Sequence, residues 1–547
     1  MPPKLLNIAV PSPEVRSLLS TSLKISPITA QLLFNRGVKT PQEAQDFLSP
    51  SITALHDPFS FPEMGLAVNL AKKAAREKRK ILVYGDYDVD GVTSLVVLKE
   101  ALRSCGIEAE HYIPHRVREG YGLNANVVEM AKARGIGLLI TVDCGTNSTR
   151  IIADLRKAGV DVIVTDHHEP SFSGDHPASA IVNPKLPGYR YRDLAGVGVA
   201  FKFCQALTGD DLYRQLDVVS MGTVADAVPL TGENRMIAAQ GLRSIASTSR
   251  PGLRMLMETA GIGDKEITAE TVSFILAPRI NASGRMDTAE RSLQLLLCAD
   301  AVEGEKLARE LESCNRQRQK VEGQILEEAQ ALIDSEINFK EHKVIVVAKE
   351  GWHPGCLGIV ASKLADRFYR PAILISMDAS GKGRGSGRSI RNFHLFDGLH
   401  HCSSLLDNYG GHEHAVGMSI MQENIKAFRE RLNEFAFEKL KINDLIPSVE
   451  IDMQINLSDI TPSLMPEMKR LEPFGEGNPE PVFYTSGLSV KGQSRVLGRG
   501  ALKFWVTDGR MTFPAIGFGM GSLKASLDAS RGIDLVYRPK VDSWQGV

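Results

Sequence analysis

The stretch ILVYGDYDVDGVTSLVVLKEALRS (81–104) decides the fold of this 547-residue chain. Its apolar start predicts a buried β-strand, DYDVDG predicts a polar loop, and the residues from Gly91 predict a helix. Two more apolar runs, GLLITV (137–142) and DVIVT (161–165), alternate with helical stretches. This alternation predicts a parallel sheet in an α/β domain, in which ligands bind at the carboxyl ends of the strands.

Three carboxylates, those of Asp86, Asp88 and Asp90, follow the first predicted strand within five residues. Alternate residues of extended chain point the same way, so these side chains can converge. They then repel one another unless a cation lies among them. An acidic surface turn or a helix N-cap would give the same residues, so the cluster alone leaves both interpretations open.

Similar residues follow the next two strands. Asp143 comes directly after GLLITV, the group Asp166-His167-His168 directly after DVIVT, and Asp226 lies later, in SMGTVADAVPL. Each alone could be a cap or a loop residue. Together they lie where a parallel sheet presents its ligands, and carboxylate and imidazole donors without thiolates favour Mn²⁺ or Mg²⁺ over structural Zn²⁺. The sequence therefore predicts two ions roughly 3.5–4 Å apart, an arrangement suited to phosphoryl chemistry.

A second α/β region is predicted to open at KVIVVA (343–348) and supplies anion-binding residues. In KGRGSGRS (382–389) the glycines let backbone N–H groups approach a phosphate, and Arg384 and Arg388 can bind one. GGHEHAVGM adds a glycine turn with His412. We expect this region to bind substrate phosphates, although a solvated loop has a similar composition.

Other basic segments are less specific. PRINASGR contains Arg279 and Arg285, which can bind an anion or brace a domain interface. NRQRQ (315–319) is interpreted as a solvated helix face, within a stretch that lacks proline and shows helical apolar spacing. Short alternating strands near the C-terminus, such as KFWVTDG, predict a small β-barrel. The predicted organisation is an N-terminal arm with short helices (1–60), a parallel-sheet domain (61–300), a connecting helix (301–340), a second α/β domain (341–445) and a barrel (446–547).

Global properties exclude several classes of protein. The formal net charge of −1 gives no overall positive field for nucleic acid, so an anionic partner must be held by local patches. The seven cysteines are scattered, which fits a reduced intracellular protein better than a disulfide scaffold or a zinc ribbon. No signal-peptide pattern and no apolar run of roughly 20 residues occurs, so we expect a soluble, cytoplasmic protein without membrane contacts.

An ordered set of motifs extends over nearly the whole chain. They are NRGVKTPQEAQDFLSP, YGDYDVDG, VDCGT, TDHH, LAGVGVAFK, GTVADAVPL, PRINASGR, GWHPGCLGIVASKL, GSGRSI, GGHEHAVGM and LEPFGEGNPEP. The set resembles the RecJ family of the DHH phosphoesterase superfamily, bacterial exonucleases that degrade single-stranded DNA from 5′ to 3′. The resemblance implies release of 5′-mononucleotides in recombination and repair, a DHH domain, a DHHA1-type second domain and an oligonucleotide-binding (OB) barrel.

The resemblance also implies residue roles. Asp88 and Asp143 would hold one Mn²⁺, with Asp86 beside it, and His168 would face the scissile phosphate. A second ion, with Mg²⁺ as an alternative to Mn²⁺, would be held by Asp90, Asp143, His167 and Asp226. Substrate would be bound by Arg279, Arg285, Arg384, Ser386, Arg388, Ser389 and His412. Phe504 and Trp505 would stack on bases, unless they form the core of the barrel.

The implied partners are single-stranded DNA, a single-stranded-DNA-binding protein and a RecQ-type helicase, with the enzyme itself a monomer. Two other functions remain open: a phosphodiesterase of short oligonucleotides or cyclic dinucleotides, and an inactive DNA-binding scaffold. Two departures from the family pattern occur. Cys356 replaces an aliphatic residue, and the chain stops at Gln545-Gly546-Val547, where the family continues into another barrel strand. We therefore expect an incomplete barrel that binds long strands weakly and self-associates through its open edge.

Overall fold

The computed structural model describes residues 4–541, and the contacts divide the chain into two compact units. The larger unit comprises Leu55–Val228 and Met236–Pro447. The smaller unit comprises Met1–Ala54, Pro229–Arg235 and Ser448–Val547.

The first sheet of the larger unit is entirely parallel. Helices cover it, so its central strands are largely apolar on both faces and are buried except near their first residues, as the continuous apolar runs predict. Truncating one central side chain, for example Leu139→Ala, would cost about 2–5 kcal/mol of folding free energy. In spatial order the strands are Glu110–Tyr112, Lys80–Gly85, Ile136–Val142, Asp161–Thr165 and Ala180–Val182.

Helices alternate with these strands and continue beyond them. The helix Val89–Ser104 begins where Asp88 accepts a hydrogen bond from the Gly91 amide, so the N-cap interpretation of this carboxylate is confirmed. The other principal helices before residue 300 are Met64–Arg76, Asn126–Arg134, Thr149–Lys157, Gly196–Thr208, Leu216–Ala225, Gly232–Ala246, Pro251–Thr259, Ala277–Met286 and Glu290–Leu297.

The predicted connecting helix is present as the 36-residue helix Ala301–Glu336. Its buried stripe has helical spacing and continues from Leu311 to Ile325 through polar residues, including Asn315 and Arg318. The interpretation of 315–319 as a solvated face is therefore wrong for these two residues. They tolerate burial because the Arg318 guanidinium donates to Glu322 and to Asn315.

The second sheet of the larger unit is mixed, with one parallel pair at its edge. It packs against the helices Pro354–Phe368, Leu395–His401 and Ile425–Lys439 and forms its own hydrophobic core with them. In spatial order its strands are Asn408–Gly411, Ala415–Met421, Lys382–Arg388, Ala372–Met377 and Ile345–Glu350.

In the smaller unit the N-terminal segment does not form a separate arm. Its helices Pro13–Leu23, Pro27–Asn35 and Pro41–Leu48 share one hydrophobic core with residues of 455–483. The Glu467 carboxylate accepts hydrogen bonds from the side chains of Ser26 and Thr29. The arm interpretation missed this because the matching apolar surface lies more than 400 residues away in sequence.

The C-terminal part of the smaller unit is a β-structure, as predicted. Phe504 is buried in its core and Trp505 is 45% exposed, because adjacent strand residues point to opposite faces. Burial removes Phe504 from the candidates for base stacking. Gln545, Gly546 and Val547 lie outside the described residues. The strands are Leu5–Ile8, Ser448–Ile451, Met453–Gln454, Phe483–Val490, Arg495–Leu497, Ala501–Thr507, Thr512–Gly517 and Ile533–Tyr537.

Within residues 4–541, none of the helices has a stretch of apolar sequence sufficient to cross a bilayer.

Candidate active site

The carboxyl edge of the first sheet gathers the residues that the sequence singled out. Asp86 follows the strand Lys80–Gly85, Asp143 follows Ile136–Val142, and Asp166 follows Asp161–Thr165. Because these strands are parallel neighbours, their carboxyl ends lie side by side. The parallel sheet therefore brings residues from three distant parts of the chain into one cluster.

His167 lies among three carboxylates. Its Nε2 atom is 3.3 Å from Oδ1 of Asp143, 3.6 Å from Oδ2 of Asp226 and 3.8 Å from Oδ2 of Asp90. Three close groups of residues each offer potential metal-ligand atoms that lie within 4.8 Å of one another. They are Asp90–His167–Asp226, Asp86–Asp88–Asp143 and Asp143–His167–His168. We call Asp86, Asp88, Asp90, Asp143, His167 and Asp226 the acidic cluster. Asp143 and His167 each belong to two of the close groups, so both are central to the cluster.

Backbone groups hold these side chains in place. The Asp90 carboxylate accepts hydrogen bonds of 2.7 Å from the amides of Gly196 and Val197, at the N-terminus of the helix Gly196–Thr208. A Cβ atom on Gly196 would lie 2.5 Å from Oδ1 of Asp143, so only glycine fits there. Asp143 has φ 59°, a left-handed conformation that is rare for a residue with a side chain. The backbone is thus shaped around the carboxylates.

The electrostatics of the acidic cluster indicate a cation. Oδ1 of Asp86 and Oδ1 of Asp143 are buried and have no hydrogen-bond partner. Burial, together with neighbouring carboxylates, raises the pKa of Asp86, Asp143 and Asp226 well above the usual range, and burial and Asp88 raise the pKa of Asp90 to about 7. Burial, then the His168 charge, lowers the pKa of His167 to about 3, which leaves it neutral and able to ligate a metal. An oxygen-rich donor set with one imidazole and no thiolate fits Mn²⁺ or Mg²⁺.

The environment of His168 differs from that of His167. Its Nδ1 atom lies 2.7 Å from Oδ1 of Asp166, and Asp166 is itself fixed by the backbone amides of Thr146 and His167. Burial opposes the charge on His168, but the Asp166 carboxylate outweighs it and raises the pKa of His168 to about 9. The hydroxyl of Tyr121 lies 3.0 Å from Nδ1 of His168. His168 is therefore oriented and protonated at neutral pH.

Four arginines, Arg116, Arg285, Arg318 and Arg388, form a second cluster, which we call the arginine cluster. Burial, then the charges of Arg116, Arg318 and Arg388, lowers the pKa of Arg285 to about 9. Arg318 pairs with Glu322, whereas within residues 4–541 the other three, Arg116, Arg285 and Arg388, make no ion pair with a carboxylate. Uncompensated, partly buried guanidinium groups are suited to bind a phosphate.

The two clusters are adjacent. The Arg116 guanidinium lies 4.7 Å above the ring of Tyr87, which stands between Asp86 and Asp88 in the chain. Burial has the largest effect on the pKa of His412 and lowers it. The charges of His414, Arg388 and His168 lower this pKa further, in that order. The charge of Arg116 also partly offsets the rise in the pKa of Asp86, so the two clusters lie close enough to interact electrostatically.

Other predicted substrate residues have structural partners. Arg279 donates to Glu312 and to the Ile275 carbonyl, so it braces two helices. Arg384 donates to the Val117 carbonyl and so holds the loop that carries Arg116 and Tyr121.

The predicted serines also differ in their surroundings. Ser389 donates its hydroxyl to the Phe393 carbonyl. Ser386 and Arg388 lie against Gly358, where a Cβ would come within 3.0 Å of Oγ of Ser386 and 3.1 Å of Arg388. Ser386 therefore lies beside the arginine cluster, whereas the Ser389 hydroxyl stabilises the turn between Ser389 and Phe393.

Family models match three regions of the chain. The N-terminal domain of the DHH family matches residues 80–228, the DHHA1 domain matches 341–438 and the RecJ OB domain matches 451–547. The single-stranded-DNA-specific exonuclease RecJ of Escherichia coli is 33% identical, over 97% of this chain and 96% of its own length. The protein with the same name in Bacillus subtilis is 40% identical, over 96% of this chain and 67% of its own length.

The chain belongs to the RecJ family. A crystal structure of RecJ from Thermus thermophilus with Mn²⁺ is similar, with a TM-score of 0.86 and 30% identity over 99% of this chain and 78% of that one. A structure of RecJ from the same organism with Mg²⁺ has a TM-score of 0.79, with 28% identity over 99% of this chain and 76% of that one. Both ions were predicted from the donor set, and both occur in RecJ structures.

Sequence reasoning missed three residues near this RecJ-family site: Arg116, Tyr121 and Arg318. Arg116 and Tyr121 lie in a loop without a regular pattern, and Gly120 and Gly122 on either side of Tyr121 have positive φ. Those flanking glycines were an available signal of a tight, shaped loop. Arg318 could have been found by extending the apolar stripe of the long helix through position 318.

Proposed function

We propose that this chain is a metal-dependent exonuclease that degrades single-stranded DNA from its 5′ end and releases 5′-mononucleotides in recombination and repair. The observation that carries the proposal is the adjacency of the acidic cluster and the arginine cluster within one compact unit. One cluster is suited to cations and the other to a phosphate. A phosphodiester next to a terminal phosphate can engage both.

Asp86, Asp88 and Asp143 would hold one divalent ion, and Asp90, Asp143, His167 and Asp226 would hold the other. When bound, the ions neutralise the developing charge on the scissile phosphate and lower the pKa of the attacking water. Asp143 would contribute to both positions, which accounts for its strained backbone and unpartnered oxygen. The helix amides on Asp90 would keep its carboxylate in one orientation.

His168 would act on the substrate rather than on a metal. Because its pKa is raised to about 9, its ring carries two N–H groups at neutral pH. One nitrogen is held by Asp166, and the other would donate a hydrogen bond to a phosphate oxygen or to the leaving oxygen. Tyr121 would help to fix the plane of the ring.

Arg116, Arg285, Arg318 and Arg388 would bind the terminal phosphate, with Ser386 beside them. The family resemblance makes this the 5′ phosphate and so sets the polarity. Trp505, exposed on the β-structure of the smaller unit, remains a candidate for base stacking. We assign catalysis to residues 61–300, substrate phosphates to 341–445 and nucleic-acid binding to 446–547, with 301–340 as the connecting helix.

The finer expectations on cellular context belong to the same proposal. A cytoplasmic location, a monomeric state, and association with a single-stranded-DNA-binding protein and a RecQ-type helicase follow from the family resemblance. Size-exclusion chromatography and binding assays with each purified partner test these points separately from catalysis.

The test uses end-labelled single strands with Mn²⁺, Mg²⁺ or a chelator. We expect mononucleotide release from strands blocked at the 3′ end, no release from strands blocked at the 5′ end, and none with chelator. Arg388→Ala should weaken binding of a 5′-phosphorylated strand by about 1.5–3 kcal/mol, the contribution of a charge-assisted hydrogen bond. Equal degradation from both ends would refute the polarity. Activity confined to dinucleotides or cyclic dinucleotides would favour an oligonucleotide phosphodiesterase, and binding without turnover would favour a scaffold.

A further inference from the structure

One helical segment of the larger unit connects the arginine cluster with an exposed aromatic residue. The short helix Ala269–Thr271 continues through a π-helical turn, Val272–Leu276, into the helix Ala277–Met286. The side chains of Val272, Leu276 and Ile280 are buried and form its core-facing side. The opposite side faces a cavity and, at Phe274, the solvent.

That opposite side carries a stripe of four residues: Phe274, Pro278, Asn281 and Arg285. Their spacing of four, three and four residues places them on one face of the helix. Three of them line a cavity of about 210 Å³, and its other lining residues are Ala225, Ser273, Ala277, Arg318 and Ile359. Phe274 continues the same stripe by one turn, beyond Pro278 and toward solvent.

Phe274 is unusual for its surroundings because 75% of its surface is exposed. It stands next to Ser273 and one turn before Ala277, both of which line the cavity. The π-helical turn adds a residue to the helix at this point, a local change that is frequent at functional sites. The result is an exposed aromatic ring close to a cavity that contains two arginines.

We propose that Phe274 stacks on a base of the single-stranded DNA whose terminal phosphate is bound by the arginine cluster. Guanidinium groups for phosphates and an aromatic ring for a base are the combination that binds single strands without sequence preference. The inference rests on the proposed function and adds a substrate contact to it. Phe274 is thereby a substrate-positioning residue outside the chemical centre.

The helix sets the distance between these contacts. Arg285 lies eleven positions after Phe274, which corresponds to roughly 16 Å along a helix with a rise of about 1.5 Å per residue. A stacked strand advances about 3.4 Å per nucleotide, so we expect the base on Phe274 about five nucleotides from the terminal phosphate. Substrates too short to reach this position should not depend on Phe274.

The experiment measures binding of a fluorescent single strand to the full chain with metal chelated, so that no cleavage occurs. The variants are Phe274→Ala, Phe274→Leu and Phe274→Trp. Phe59→Ala is the matched control, because Phe59 is also an exposed phenylalanine of the larger unit, with 56% of its surface accessible. We expect Phe274→Ala to weaken binding about 5- to 100-fold, Phe274→Leu to weaken it nearly as much, and Phe274→Trp and Phe59→Ala to retain native affinity.

An abasic scan identifies the contact. Single abasic sites are placed at each of the first eight positions from the 5′ end. One position should weaken binding to the native chain and have no further effect on Phe274→Ala, because the stacking partner is already lost. An unchanged affinity of Phe274→Ala, or an identical abasic profile in both chains, overturns the proposal. A native chain that fails to cleave any single strand with Mn²⁺ would instead refute the proposed function, and a loss of partner-protein binding alone in Phe274→Ala would make Phe274 a protein contact.

Discussion

The acidic cluster and the arginine cluster are both concentrations of like charge, but they are held in place differently. The acidic cluster is fixed by the backbone: strand ends position Asp86 and Asp143, and helix amides hold Asp90. The arginine cluster is assembled from long side chains on a loop, two helices and a strand of the second sheet. Its members reach their site by side-chain extension rather than by backbone placement.

Because of this difference, we assign the chemical step to the acidic cluster and substrate binding to the arginine cluster. Short carboxylates on a fixed backbone give the rigid geometry that a metal ion requires. Long guanidinium side chains from separate elements give a charged surface that can adjust to a moving strand. We therefore expect changes in the acidic cluster to abolish chemistry and changes in the arginine cluster to weaken binding.

The largest effect tests the acidic cluster at its centre. Asp143→Asn removes a charged ligand that contributes to two of the close groups. Activity should fall by more than about 100-fold, because even partners of metal ligands contribute 10- to 100-fold. Calorimetric titration with Mn²⁺ and a cleavage assay measure the loss. Asp161→Asn is the control, since Asp161 pairs with Arg79 and Arg156 at the opposite end of its strand, and it should keep native metal affinity.

The next test asks whether the backbone shapes the acidic cluster. Gly196→Ala places a Cβ within 2.5 Å of Oδ1 of Asp143, so that carboxylate must move. Mn²⁺ affinity should fall about 10- to 100-fold while the circular dichroism spectrum stays native. Gly198→Ala, two residues along the same helix, meets only the flexible side chain of Leu194 and should change Mn²⁺ affinity far less. Equal metal affinity in Gly196→Ala and the native chain would show that the carboxylates adjust freely and that the backbone does not fix the acidic cluster.

A smaller effect is expected in the arginine cluster. Arg318→Ala should weaken single-strand binding by about 1.5–3 kcal/mol and leave kcat at saturating substrate within a few-fold of native. Steady-state kinetics would show a raised KM. Arg316→Ala is the control on the same helix, because Arg316 is exposed and paired with Glu312. A lost kcat with an unchanged KM would place Arg318 in the chemical step and break the distinction between the clusters.

The smallest effect concerns the long helix that carries Arg318. Gly323 lies inside the helix, and an added Cβ would meet no atom within 4 Å. Gly323→Ala should stabilise the fold by about 0.5–1 kcal/mol, because glycine loses more conformational entropy on folding than alanine. Thermal unfolding measures this change, and substrate affinity should stay native. A change in affinity would mean that the arginine cluster depends on the flexibility of this helix.

The acidic cluster could be predicted from the sequence because each of its signals is local. An apolar run predicts a buried strand, and the next residue is then at the ligand edge, so Asp86, Asp143 and His167 needed no long-range information. The first sheet and the long helix were predictable for the same reason. Asp226 lies after a helix instead, and it was a candidate ligand only because the strand-end residues already indicated a metal site.

The arginine cluster was only half predictable, because its residues come together through tertiary packing. Arg285 and Arg388 belong to glycine-containing motifs, but Arg116 lies in an irregular loop and Arg318 in a polar segment of a helix. The packing of the N-terminal helices on residues of 455–483 also escaped prediction. No pattern within either segment reveals a partner so far away in sequence.

The core shared by the N-terminal helices and residues of 455–483 has a consequence for synthesis on the ribosome. The helix Pro27–Asn35 emerges early, but the residues that cover its apolar face, such as Leu464 and Phe483, are translated more than 400 residues later. At about 5–20 residues per second the delay is roughly 20–80 seconds. The larger unit can complete both of its sheets during that interval, while the N-terminal helices keep apolar surface exposed. Of the two units, the smaller is thus the later to fold, and its early helices are where a chaperone would be needed first.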